Sequence, residues 1–305
     1  MSFAGDVKCE IIEHSAVKGC CIIAACYGIA CFSKYFDTKG LILHTERSDV
    51  AFYAKKLFDK IGINGEIITK GKEDSHIYEY AIKDETEINK LLLLLHYDKN
   101  EVALRINSDN FKCEHCVNAF VSSAFLCAGT MTDPNKEYNL ELLTSRHHLA
   151  RDLQALLMGH GFASGNIVRK GANVIYFKAS EQIEDILTFM GASNAAIEIM
   201  NLKVYKDFRN KANRITNCET ANIDKTVNAN SKTLRAIEYL KAHNAFDTLP
   251  FALKEAAELR EENPDLSLKE LSCLFIPHLS RSGLNHRLKN IEQAANHLEI
   301  RSKNV

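Results

Sequence analysis

The chain has 305 residues, 46% apolar and 25% charged, which suits roughly two domains of ~150 residues and excludes a disordered, collagenous or fibrous protein. Its formal charge of -1 hides an asymmetry: residues 1–200 carry 21 basic and 26 acidic groups, whereas residues 201–305 carry 17 and 13. The C-terminal third is therefore the part suited to a polyanion.

In chain order, the first strong signal is the apolar run from Cys20 to Phe32. It contains Gly28 and falls short of the roughly 18 apolar residues needed to cross a bilayer, so no membrane partner is expected. Ile23-Ala24-Ala25-Cys26 imitates a lipoprotein cleavage site, but Asp6, Glu10 and Glu13 precede it and the apolar stretch before Cys26 is too short for a signal core. Cys20, Cys21, Cys26 and Cys31 share this helix-like segment, where cysteine acts as a small hydrophobe, and that usage points to a reducing cytoplasm. Cys113-Glu114-His115-Cys116 is a C-x2-C without a second pair at finger spacing, and Cys218 and Cys273 are isolated. A structural zinc site needs four ligands, so neither a metal nor another cofactor is expected.

The run predicts a helix over 18–32, followed by a Thr38-Lys39-Gly40 turn and a strand from Leu41 to Thr45. A helix over 48–61 follows, with Ala51, Ala54, Leu57, Phe58 and Ile61 at three- and four-residue spacing and a stop at Gly62. Two strands, 66–69 and 76–82, turn near Gly71, and a helix over 84–95 closes the unit. The unit then recurs at a period near one hundred. Leu41–Thr45 aligns with Leu140–Thr144, residues 45–62 align with 144–161 without a gap, and Lys70-Gly71 aligns with Lys170-Gly171. Self-similarity this extended marks a duplication, so residues 1–200 read as an α+β domain of two αββαββα copies. The copies are expected to pair through their first helices, where Gly28 and Ala128 allow close approach.

At these helices the sequence resembles the LAGLIDADG homing-endonuclease fold: Phe125-Leu126-Cys127-Ala128 is followed by Asp133, and Gly28 takes the glycine position of the first copy. The resemblance implies paired acids that hold divalent metals for phosphodiester cleavage. Here Ser33 stands where the first acid belongs, and a neutral hydroxyl cannot replace a carboxylate ligand. Asp37 lies past the expected helix end, and Asp133 before Pro134 suits a turn. No catalytic residue is expected.

Residues 201–232 read as a basic connector. Between Lys203 and Arg235 there are eight basic and three acidic residues, with seven asparagines from Asn201 to Asn230. It reads either as a solvated helix and linker or as a phosphate-contacting segment; in the second case Arg209 and Arg214 are the candidate contacts. Residues 233–305 carry strong helix punctuation. Pro250 opens a helix that Asn263-Pro264 ends, Ser267-Leu-Lys-Glu270 is a capping box, and a third helix runs from about Ser280 to Leu298. Leu284, Leu288, Ile291, Ala295 and Leu298 line its core side, whereas Ser282, Asn285, His286 and Lys289 cluster opposite. A short helix, a tight turn and a longer polar-faced helix is the helix-turn-helix pattern. Ser280, Arg281, Ser282, Asn285, His286, Arg287 and Lys289 are the candidate DNA contacts.

The conjunction resembles the WhiA family of bacterial transcriptional regulators. The carrying residues are Cys20-Cys21, Ala124-Phe125-Leu126, Arg209-Asn-Lys-Ala-Asn-Arg214, Leu249-Pro250 and Ser280-Arg-Ser-Gly-Leu-Asn-His-Arg-Leu288. The resemblance implies a sequence-specific regulator linked to sporulation or cell division, cytoplasmic and nucleoid-associated, without nuclease activity. Double-stranded DNA is the implied partner, with the N-terminal domain a scaffold or a surface for a protein partner. The competing expectation is a metal-dependent LAGLIDADG-type DNA endonuclease, opposed by Ser33 and by the negative charge of residues 1–200.

Overall fold

The computed structural model describes residues 2–14, 19–72, 75–97 and 103–303. Lys18, the first residue of the helix expected over 18–32, and residues 304–305 of the expected C-terminal domain lie outside them. Two compact units are present, residues 1–206 and 207–305.

In the first unit the repeat is explicit. One copy comprises α2 (Gly19–Phe32), β1 (Tyr35–Asp37), β2 (Gly40–Thr45), α3 (Ser48–Lys60), β3 (Glu66–Lys72), β4 (Ser75–Ile82) and α4 (Glu85–Leu94). The other comprises α5 (Cys116–Ala128), β5 (Gly129–Met131), β6 (Leu140–Thr144), α6 (His147–Gly159), β7 (Gly165–Arg169), β8 (Ala172–Phe177) and α7 (Ser180–Phe189). The sheets share one antiparallel order, β1-β2-β4-β3 and β5-β6-β8-β7. Equivalent registers hold them: Leu41 pairs with Ile82 in the first and Leu140 with Phe177 in the second, and all four side chains are buried. Asp84 caps α4 by accepting from the backbone N–H groups of Thr86 and Glu87.

The two copies meet at α2 and α5. Helix α2 is buried almost all round, as expected of a helix with apolar residues on every face. Gly28 sets the separation, because a Cβ there would strike the Phe120 carbonyl oxygen and lie 3.1 Å from the Ser123 Cβ. The close approach is therefore to Phe120 and Ser123, not to Ala128 as the sequence suggested, because the helices cross nearer the middle of α5. Tyr27 and Phe120 pack their rings, tilted 40° to each other, with centroids 5.3 Å apart across this crossing.

The pairing also brings together cysteines that are far apart in sequence. The second pair missing around Cys113 and Cys116 comes from the other repeat: the sulfurs of Cys20, Cys21, Cys113 and Cys116 all lie within 4.8 Å of one another.

One helix was not anticipated. α1 (Phe3–Glu13) precedes the repeat, and its buried Glu10 accepts from the backbone N–H groups of Asn194 (2.6 Å) and Ala195 (3.0 Å). Those groups belong to the first turn of α8 (Ser193–Ala242), whose positive end the carboxylate satisfies. The 50-residue α8 also absorbs the expected connector: residues 201–232 are helical throughout, since the run holds no proline or glycine to break it.

The second unit packs the end of α8 against α9 (Phe251–Glu262), α10 (Leu268–Ser272) and α11 (Arg281–Lys303). Its core joins Ile237, Leu240, Ala256, Ala257, Leu271, Phe275, Leu284, Leu288 and Ile291. It is thus a four-helix module, one helix more than the punctuation implied. Asn230 donates to the Pro264 carbonyl (2.8 Å) and Thr233 to Glu292 (2.7 Å), which fixes α8 in place within this unit. The Ser267 capping box forms as read, but residues 273–280 make a longer connection between α10 and α11 than the expected tight turn.

Gly28→Ala tests the seam. Alanine has the better helix propensity, yet its methyl must push two packed helices apart. A net loss of about 1–3 kcal/mol is expected from urea unfolding of the full chain followed by circular dichroism. An unchanged midpoint and slope would show that the helices separate at little cost.

Candidate nucleic-acid interface

Helix α11 presents two different sides. Leu284, Leu288 and Ile291 are buried, and Arg281, Ser282, His286 and Lys289 are exposed. Asn285 is half-buried at the edge of the polar side. Ser280 caps the helix, its hydroxyl accepting from the Gly283 N–H (3.1 Å) and lying 3.1 Å from the Ser282 hydroxyl. Arg287 has internal partners: its guanidinium donates to the Ala252 carbonyl (3.3 Å), pairs with Glu255 (3.1 Å) and covers the Phe275 ring. It packs α11 onto α9, a role that the linear motif did not reveal because both partners lie more than thirty residues upstream.

Arg209 and Arg214 are both exposed on α8. Five residues apart, they project about 140° from each other, so one flat surface cannot meet both squarely. Lys225 shares the Arg214 side to within about 20°.

The opposite question is whether the first unit holds a cleavage site. Ser33 is buried, and its hydroxyl lies 2.8 Å from the Ala30 carbonyl and 2.9 Å from that of Tyr35. It is a backbone cap. Asp133 is exposed and accepts from the backbone N–H (2.9 Å) and side-chain amide (3.0 Å) of Asn135, which hold its carboxyl below the usual range. It is the turn residue that Asp-Pro suggests. Asp37 is likewise occupied, by the Tyr35 hydroxyl and the Lys39 N–H.

Cations stand at the helix ends instead. Arg146 donates to the carbonyls of Cys31 (2.7 Å) and Ser33 (3.0 Å) at the C-terminal end of α2, and Lys8 donates to the Leu126 carbonyl (3.0 Å) near that of α5. Each complements the negative end of a helix dipole. Burial pushes the Lys8 ammonium and the Arg146 guanidinium down from their ordinary values, so both are held out of water by the fold. Sequence reasoning missed them because their acceptors are more than one hundred residues away.

The sheets carry compensated charge. Buried Glu79 accepts from Lys70 and His44, both at 2.7 Å, and Lys70 foremost holds its carboxyl down. Burial would raise Glu141, on β6 of the other copy, but Asn139 and Arg169 outweigh it and hold it low. At this end of the unit the described residues offer cations tied to carbonyls and carboxylates, not a pair of open acids.

Among the described residues, the one grouping suited to a metal is the four-cysteine cluster at the other ends of α2 and α5. The backbone N–H of His115 draws the Cys113 thiol down to about 7, while burial raises Cys116. Among the described residues, no helix is long and apolar enough to cross a membrane.

Known proteins share this arrangement. A model of the WhiA LAGLIDADG-like domain matches residues 117–209, and one of the WhiA C-terminal HTH domain matches residues 212–295. A probable cell division protein WhiA from Thermoanaerobacter pseudethanolicus is 37% identical over 315 residues, covering 99% of each chain. Its counterpart in Clostridium botulinum is 33% identical over 315 residues, covering 98% of this chain and 99% of the other. The crystal structure of full-length DUF199/WhiA from Thermatoga maritima shares the fold, with a TM-score of 0.61 at 22% identity over 97% of this chain and 99% of that one. The isolated N-terminal LAGLIDADG domain of DUF199/WhiA gives 0.50 at 18% identity, over 62% and 92%. With identity running the full length and both domains matched in the same order, the chain belongs to the WhiA family.

Proposed function

We propose that this protein is a sequence-specific DNA-binding transcriptional regulator, acting in sporulation or cell division at the nucleoid. Helix α11 reads double-stranded DNA, and the first unit is a non-catalytic scaffold or partner-binding surface. The observation that carries this reading is the polar side of α11: Ser282, His286 and Lys289, with Asn285 at its edge, stand opposite a fully buried apolar stripe. Such a helix, held by a preceding short capped helix, is the element that helix-turn-helix proteins insert in the major groove. Asn reads adenine bidentately, and Lys and Arg read guanine or grip phosphate. Ser280 and Arg281, at the start of α11, are assigned to the adjoining backbone. Arg287 acts from behind, by docking α11 on α9. On α8, Arg214 and Arg209 contact phosphates, Arg214 more strongly because Lys225 supports the same side. The relatives named as probable cell division proteins support the cell-division part of the assignment.

The endonuclease alternative finds no support among the described residues of the first unit. Ser33 supplies no carboxylate, Asp133 is spent on a turn, and Arg146 brings positive charge to the end of α2. Incubated with plasmid or with its own binding site in Mg²⁺ or Mn²⁺, the protein should leave the DNA intact. Cleavage abolished by Asp133→Asn would overturn this assignment.

The reading face is tested by titrating full-length variants at fixed salt against two duplexes, one selected from a random pool by the wild-type protein and one of scrambled sequence. Asn285→Ala should lower the selected-to-scrambled ratio by the equivalent of ~1–3 kcal/mol. Arg214→Ala should weaken both duplexes alike and flatten the dependence of log affinity on log salt by about 0.9. A ratio unchanged by Asn285→Ala in a folded protein would move base reading to another surface or to DNA shape.

A further inference from the structure

Four cysteines from two repeats converge at the N-terminal ends of α2 and α5. Cys20 and Cys21 lie in the first turn of α2, Cys116 opens α5, and Cys113 stands one tight turn earlier, where the Cys116 N–H donates to its carbonyl (3.0 Å). The Cys113 sulfur is 3.6 Å from that of Cys20, 3.5 Å from Cys21 and 3.6 Å from Cys116. All the sulfur–sulfur separations are within 4.8 Å, and a tetrahedral zinc tetrathiolate with bonds of roughly 2.3 Å has edges of about 3.8 Å, inside that range. These separations are well beyond the ~2.05 Å of a disulfide. They also leave no room for several irons and their bridging sulfides between the thiolates.

Chemistry and surroundings agree with the distances. The group contains only cysteines, the ligand set that selects a soft tetrahedral ion. Ala24, Phe111 and Ala119 give it an apolar jacket, and the half-buried Cys20 and Cys113 leave a way in from solvent. The other buried cysteines, Cys26 and Cys31, take no part in the group and behave as small core residues.

We propose that Cys20, Cys21, Cys113 and Cys116 bind one zinc ion as a tetrathiolate that staples the two repeats together. The pairs lie about ninety residues apart in sequence, so the ion closes a long loop and joins the helices on which both sheets are built. This site lies at the ends of α2 and α5 opposite those held by Arg146 and Lys8. It is structural, because all four positions around the ion are filled by protein and none remains for substrate.

The test uses full-length protein prepared with a non-thiol reductant. Native mass spectrometry and elemental analysis should find one zinc per chain. Replacement by Co²⁺ should give the thiolate charge-transfer bands and visible absorption of a tetrahedral tetrathiolate. Cys113→Ser should weaken zinc retention against a chromophoric chelator by at least about tenfold, while Cys218→Ser, on the exposed part of α8, should not change it. Chelation should lower the thermal midpoint of the wild type. The wild-type stoichiometry stands whether or not Cys113→Ser folds. A chain that stays free of zinc after reductive loading overturns the proposal. So does iron with acid-labile sulfide, or a disulfide from Cys113 to Cys20 or Cys21 in place of the ion.

Discussion

The close crossing of α2 and α5 is the constraint on which the first unit depends. Both sheets are attached to this pair, each through a strand that leaves the C-terminal end of its helix. The crossing requires that residue 28 have no side chain, because the Phe120 backbone occupies the space. A glycine inside a helix costs about 1 kcal/mol of propensity, and here the cost is offset by packing two largely apolar helices against each other. Van der Waals contact then joins the two copies, while the equivalent registers of β2 with β4 and β6 with β8 come from the like pattern of buried residues within each copy.

An endonuclease with this geometry would gather acids and metal ions at the C-terminal ends of these helices, against the negative ends of two helix dipoles. That arrangement needs divalent cations to offset it. In this chain, side-chain cations do so permanently. Arg146 and Lys8 hydrogen-bond the terminal carbonyls, and Ser33 folds back onto the backbone. Ser33 places no carboxylate here, and the orphan carbonyls of the helix ends find their donors in buried Arg146 and Lys8.

Much of this was legible before any coordinates, for a definable reason. The duplication fixed element order twice over, so weak strands such as Glu66–Lys72 gained support from their partners in the other copy. The four-three spacing of Leu284, Leu288 and Ile291 identified the buried side of α11, and with it the polar side. What escaped reading depended on long-range contacts. Helix α1 lies outside the repeat, and its reason for being there, Glu10 on the first turn of α8, spans more than 180 residues. The Asn-rich stretch 201–232 read as a connector by composition, yet without Pro or Gly it continues a helix nucleated and capped elsewhere. The four cysteines escaped because finger spacing is a rule for one short loop, whereas here each half of the set belongs to a different repeat.

Seen from its two ends, the helix pair obeys one rule. Its C-terminal ends meet the positive side chains of Arg146 and Lys8, and its N-terminal ends meet four thiols. Neutral thiols gain little from a positive helix end, but thiolates do, and a zinc tetrathiolate retains net negative charge after the ion is counted. The same dipoles that favour cations at one end therefore favour a metal-bound thiolate cluster at the other. Such a seam is held at both ends, which suits the scaffold role proposed for the first unit.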